Sequence, residues 1–354
     1  MEFEQSDISN AFAPHHSRWR DWGRWALHLG LFLFTLFTTT IAGVQWLNRD
    51  PFDLTNFTLG LPYSVALLFI LGCHEFGHYF ASRYHKVDAT LPYFLPFPPI
   101  PIFFQLFLNF GTFGAVIRTK SAVPSKKAMF DIGVAGPIAG FFASLIVLIY
   151  GFTHLPGREF ILAIHPDYNF ALNGAPSAQG MYLAFGDTLL FSGLRSIFTN
   201  PVTQFIPPMS EIYHYPFLCV GWFGLFVTAL NLIPIGQFDG GHLIYTMFGD
   251  AHKKIAQWSC YGLLALSLPS ISDTLLRLLL GFVCHHDIPQ IVPFAEYSWS
   301  AWFVWAMIAL YVVKLYHPPV MDETPIDRRR MFIGWGCIAI FILSFSFNPI
   351  VASY

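Results

Sequence analysis

"LGCHEFGHYF", residues 71–80, sets two histidines and a glutamate inside an otherwise apolar run. That run, 62–84, is long enough to cross a bilayer as a helix. Ionisable side chains at such depth cost on the order of a few kcal/mol and mark function by default. His74 and His78 are four residues apart. On a helix this is a little over one turn, so both imidazoles project from one face. At that spacing two ring nitrogens can meet one zinc ion at about 2.0–2.1 Å. Glu75, the next residue round, leans towards the same ion without having to ligate it, placed to hold a water and take its proton. The pattern HExxH is short and arises by chance in soluble chains. Its position inside a span gives it weight here.

The rest of the chain has the same apolar character. Of 354 residues 55% are hydrophobic and 11% charged, against about 25% charged in soluble domains. A chain this poor in charge cannot cover its own surface in water, and it reads as an integral membrane protein in contact with the lipid bilayer. The net charge of −2 and the lack of a basic run interleaved with aromatics give no nucleic-acid partner. Cys73, Cys219, Cys260, Cys284 and Cys337 are scattered without paired spacing and read as small core residues. The first 23 residues hold no small-residue cleavage site, and the first apolar run is long enough to span and stay, so no signal peptide is expected.

Apolar runs of spanning length fall at about 25–47, 62–84, 128–152, 217–237, 255–282, 299–316 and 331–349. Orientation follows from the basic residues. Arg18, Arg20 and Arg24 precede the first run, which sets the N-terminus in the cytoplasm. Arg83, Lys86, Arg118, Lys120, Lys126 and Lys127, then Lys253 and Lys254, then Arg328, Arg329 and Arg330 all fall on that same side. The segment 153–216 holds only Arg158 and Arg195 and is expected to be exterior. Two stretches depart from the helical pattern. "LPYFLPFPPIPIFFQLFLNF" (91–110) carries five prolines, too many for a straight helix. "GTFGAVIRTKS" (111–121) spaces glycines and β-branched residues as a strand does. The expected fold is therefore an all-α polytopic membrane protein of about seven spans, with a short membrane-associated β strand or hairpin near the cytoplasmic face. Its expected divisions are a cytoplasmic segment 1–24, a first span and exterior loop 25–61, a membrane core 62–250 containing the 153–216 insert, and C-terminal spans 251–354. Asp273 and Arg277, four apart in the fifth run, are expected to form a structural ion pair.

A hydrolytic zinc site takes three protein ligands and keeps a fourth position open. "NLIPIGQFDGGH", residues 231–242, ends the fourth run and offers the third ligand. Pro234 and Gly236 should break the helix there. Freed backbone at that depth is tolerated only where it lines a protein cavity, and an unwound turn lets the short Asp239 side chain reach sideways to a metal. The second and fourth runs cross in the same direction, which brings both motifs to the later part of their spans.

With HEFGH in one span and NLIPIGQFDGG in a later one, the chain resembles the site-2 protease family of intramembrane zinc metalloproteases. "FDIGVAGPIAGFFASLIVLIYG" (130–151) resembles the small-residue span that lies between the two motifs in that family, and the likeness covers roughly residues 62–250. It implies that one Zn2+ is held by His74, His78 and Asp239, that Glu75 is the catalytic base, and that Asn231 helps position substrate or the developing oxyanion. It implies that the strand Gly111, Thr112, Phe113, Gly114, Ala115 and Val116 pairs with the backbone of a transmembrane protein substrate, which is cut in the cytoplasmic half of the bilayer, as in regulated intramembrane proteolysis. Gly140 stands where some relatives carry a polar residue and is given no catalytic role. The roughly 43 residues between the second and third runs are too few for the PDZ domain that some members insert, a domain-sized segment of about 80–100 residues. The expected location is a bacterial cell (inner) membrane.

Three rival readings stand beside this one. A membrane metal transporter or receptor would use the same ligands without hydrolysis, but gains little from a carboxylate placed as a base. A di-iron oxidase of the desaturase type would use His285 and His286, yet no set of histidine boxes accompanies them. A catalytically dead scaffold is disfavoured by the intact HExxH and Asp-Gly block. Of the other histidines, His154, His165, His214, His252 and His317 read as solvated, and His242 as a neighbour of the metal ligands.

Overall fold

The longer apolar runs form long helices, two of them continuing through an internal proline, Pro137 or Pro269. The structure, a computed structural model, describes residues 18–97, 109–170, 182–286 and 288–353. Among the described residues, four helical stretches can cross a membrane by length and composition: Trp22–Trp46, Leu54–Tyr84, Lys126–Thr153 and Asp239–Cys284. The first lies within helix α1 (Arg18–Trp46), the second contains α2 (Leu61–Tyr84) and the third is α3 (Lys126–Thr153). The fourth joins α7 (Asp239–Phe248) through a 3-10 turn to α8 (His252–Cys284). Three further apolar runs form shorter helices. α6 (Pro216–Asn231) has 16 residues, about 24 Å at 1.5 Å per residue, short of a hydrocarbon layer of about 30 Å. α9 (Ala301–Ile308) continues as a π turn, and α10 (Arg328–Ser344) has 17 residues. The insert adds α4 (Arg158–Ile164) and α5 (Leu189–Phe198).

The centre of the molecule is α3, packed along α2, α6 and α7. Its glycine-rich middle removes side-chain bulk, so these neighbours approach closely. At one end of the bundle Trp46, Phe185, Trp222 and Phe223 pack ring against ring. At the other end Asp131 of α3 takes two hydrogen bonds from Arg330, at 2.8 and 2.6 Å. The same carboxylate meets His85 Nε2 at 2.8 Å, so one aspartate ties together α3, α10 and the end of α2. Asp273 and Arg277 approach to 3.9 Å, but the aspartate does more than pair: its Oδ1 accepts from the backbone N–H groups of Ile291 and Val292 at 2.7 and 2.8 Å.

The β structure is slight. Strand β1 (Tyr93–Pro96) pairs antiparallel with β2 (Thr112–Val116), Tyr93 opposite Val116. Bonds from Thr90 N to Arg118 O and from Phe97 N to Gly111 O extend the ladder at both ends. β1 thus occupies the first half of the proline-rich stretch, which is not helical; Pro98, Pro99 and Pro101 lie outside the described residues, as does most of the N-terminal segment. The root of β2 is anchored by the helices. Thr38 Oγ1 donates to Gly111 O at 2.7 Å, Trp46 Nε1 to Asn109 O at 3.0 Å and Tyr63 Oη to Phe110 O at 3.2 Å. A second pair, β3 (Tyr182–Phe185) with β4 (Ile350–Ser353), joins the insert to the far end of the chain. Nothing in the local sequence signals that pairing. The five cysteines are free; Cys219, Cys260 and Cys337 are buried, while Cys284 is exposed, unlike the core residue expected of it.

Candidate metal centre

His74, Glu75 and His78 lie in the second half of α2 and are each 8% exposed. His74 stands ten residues before Tyr84, the last of the helix, or about 15 Å from that end. His78 Nδ1 sits 2.7 Å from the Ile132 carbonyl of α3. A carbonyl only accepts, so Nδ1 carries the hydrogen and Nε2 keeps its lone pair, the arrangement that orients a metal-ligating imidazole. The third group comes from the broken helix. α6 ends at Asn231, the chain runs unwound through Pro234 and Gly236, and Asp239 opens α7. Gly236 takes φ +55°, a conformation that favours glycine.

The break turns the Asp239 carboxylate onto the histidine pair. His74 Nε2 and His78 Nε2 are 3.1 Å apart, and Asp239 Oδ2 is 3.5 Å from the first and 3.4 Å from the second. Ligands at about 2.0–2.1 Å in a tetrahedron stand about 3.3–3.4 Å from one another. Donor identity and donor spacing therefore both fit a zinc ion with one position left open. Glu75, next to His74 on α2, is outside this triangle. Asn231 Nδ2 lies 3.3 Å from His74 Nε2, so the amide stands at the rim of the cluster. All five polar residues named from the sequence converge on one place. The strand Thr112–Val116, which follows Gly111, packs against α2, the helix that carries HEFGH.

Sequence reasoning missed the part played by α3. A Cβ at Gly136 would fall 2.0 Å from His78 Nε2, and one at Gly140 would fall 3.1 Å from His74 Cβ. These two glycines leave room for the imidazoles against the central helix. The repeated small residues of "AGPIAG" (135–140) carried the signal, but no periodicity says which residue they face. His242 is half-buried near Asp239; its buried Nδ1 has no hydrogen-bond partner, and its ring packs edge-on to His317 at 4.8 Å. Three histidines read as solvated are buried instead: His214 at 2%, His252 at 5% and His317 at 6% exposed. Each sits in, or at the edge of, a connecting segment folded back onto the bundle, which local polarity does not reveal. His285 and His286 are exposed and join no metal-type cluster among the described residues.

Comparison with known proteins points the same way. The description "Peptidase family M50" matches residues 62–267. "Probable zinc metalloprotease EGY1, chloroplastic" of Oryza sativa subsp. japonica is 33% identical over 270 residues, covering 69% of this chain and 42% of the relative. Its namesake from Arabidopsis thaliana is 32% identical, covering 69% and 43%. "Probable zinc metalloprotease EGY2, chloroplastic" of Oryza sativa subsp. indica is 26% identical, covering 66% and 38%. The chain thus spans less than half the length of these curated relatives. Their chloroplast names lend no support to a bacterial inner membrane. No solved structure matches the chain.

Proposed function

Since the chain belongs to peptidase family M50, the site-2 protease family, we propose that it is an intramembrane zinc metalloprotease that hydrolyses a peptide bond in a transmembrane protein substrate. One observation carries this reading: His74 Nε2, His78 Nε2 and Asp239 Oδ2 lie within 3.5 Å of one another, beside a carboxylate that is not one of them. Zinc held by these three residues would supply a Lewis acid that polarises the scissile carbonyl and makes water nucleophilic near neutral pH. Glu75 takes a proton from the attacking water and returns it to the departing amine. The Asn231 amide, at the rim of the cluster, donates to the oxygen that gains charge. A transport or receptor site has no need of Glu75, and that alternative is set aside.

A substrate helix must unwind before its carbonyls are open to attack. β2 suits the task of holding the unwound segment. One of its edges is paired with β1, and no strand covers the other among the described residues. Phe113 and Val116 are 67% and 47% exposed, whereas Ala115 is 9% exposed. A substrate strand added here regains the backbone hydrogen bonds it lost on unwinding. The seven-span topology with a cytoplasmic N-terminus, and with it cleavage in the cytoplasmic half of the bilayer, belongs to the same proposal. The β3–β4 pairing supports it, because an odd number of spans brings the chain end to the side where the insert lies.

Cross-linking tests the strand. In a cysteine-free Glu75→Gln background, Phe113→Cys is expected to form a disulfide with single cysteines near the scissile bond of a transmembrane substrate, since cross-strand neighbours lie about 4.5–5.5 Å apart. Ala115→Cys is expected to give none. Equal cross-linking from both positions, or none from Phe113→Cys, rules out strand addition at this edge.

A further inference from the structure

A second set of metal-ligating side chains lies in the insert between α3 and α6, far from HEFGH. His165 closes α4, Glu211 precedes the short 3-10 helix Ile212–His214, and His214 ends it. His165 Nε2 and His214 Nε2 are 2.9 Å apart. Glu211 Oε2 is 3.7 Å from the first and 3.8 Å from the second. These separations bracket the roughly 3.3–3.4 Å between ligands of a tetrahedral zinc ion. Gly136, against the HEFGH histidines, lies 17 residues before the end of α3 at Thr153, about 26 Å along that helix. The two clusters are separate sites.

Two features distinguish this cluster from an ordinary histidine contact. His214 Nδ1 lies 2.6 Å from the Trp46 carbonyl at the end of α1. That carbonyl fixes the hydrogen on Nδ1 and aims the Nε2 lone pair into the cluster, the orientation seen in ligating imidazoles. Second, Glu211 is 6% exposed, and its Oε2 is buried without any hydrogen-bond partner. A hydrogen bond between the two histidines alone leaves that oxygen stranded, which is costly for a buried carboxylate. A cation among the three atoms satisfies all of them together. The hydroxyls of Tyr168 and Tyr215, also buried without partners, lie within the field of Glu211.

We propose that His165, Glu211 and His214 form a second metal site, for a divalent ion of the zinc class, that fastens the insert to the end of α1. Two imidazoles and one carboxylate suit zinc, cobalt or nickel rather than calcium or magnesium. The ion joins the end of α4 and the 3-10 helix, while Trp46 carries the restraint to α1. A second strap runs beside it, from Arg49 Nη2 to Ala163 O at 3.3 Å.

Metal counting tests the proposal. The full chain, purified in detergent, is stripped with chelator, dialysed against zinc, freed of excess and assayed by mass spectrometry. Wild type is expected to hold two zinc ions per chain, His165→Ala one, Glu211→Gln one, and the combined His165→Ala, Asp239→Ala variant none. His165 is partly exposed, so its substitution leaves the fold intact, which gel filtration and circular dichroism check. Zinc should also raise the melting temperature of Asp239→Ala and leave that of the combined variant unmoved. Zinc content in both His165→Ala and Glu211→Gln equal to wild type overturns the proposal, leaving a histidine hydrogen bond only.

Discussion

Glu75→Gln is expected to lower cleavage of a transmembrane substrate by about 100- to 10,000-fold, the range of a lost general base, while leaving zinc content unchanged. The substitution keeps the shape of the side chain and removes its basicity. Glu75 stands outside the triangle of His74, His78 and Asp239, so the ligand set survives. The pairing of lost cleavage with retained metal separates a base from a ligand. It is read with purified protein in liposomes, a substrate span and a parallel zinc assay. Variant protein that cuts at the wild-type rate, with contaminating proteases excluded, removes Glu75 from the chemistry.

Gly136→Ala should be nearly as damaging, by a different route. In a helix, alanine is favoured over glycine by about 1 kcal/mol, so the substitution does nothing intrinsic to harm α3. The added methyl, however, would fall 2.0 Å from His78 Nε2, the atom assigned to the metal. The ring has to turn away and the triangle opens. Displacements of about 1 Å at a reacting centre cost on the order of 100-fold. We expect the protein to fold, to lose one zinc ion, and to lose at least that factor in cleavage. Gly30→Ala in α1, where a Cβ meets nothing within 4 Å, serves as the control and should match wild type. Full zinc content and activity in Gly136→Ala would mean that α3 does not confine His78.

The local parts of this site were legible in the sequence. Four-residue spacing places His74 and His78 on one face, and Pro234 with Gly236 announces a broken helix ahead of Asp239. Apart from the meeting of Asp239 and Asn231 with the histidine pair, which the resemblance implied, contacts between distant segments were not legible. Nothing periodic links the glycines of α3 to the rings on α2, because close approach depends on how two helices cross. His165 and His214 are 49 residues apart in a polar insert, so each reads alone as a solvated loop residue until the fold closes them onto Glu211. The β3–β4 pair joins residues at opposite ends of the second half of the chain, with no hairpin turn to advertise it. Span counting met a physical limit as well. A 16-residue helix followed by an unwound turn covers depth that composition alone assigns to one continuous span.

The most direct measurement is the zinc content of Asp239→Ala beside that of wild type, prepared in the same way. If His74 and His78 of α2 share one ion with the carboxylate that opens α7, the variant holds one zinc ion fewer per chain and no longer cuts a transmembrane substrate. Asp239→Ala that keeps the wild-type zinc content and the wild-type cleavage rate would contradict the shared site and the hydrolytic reading built upon it.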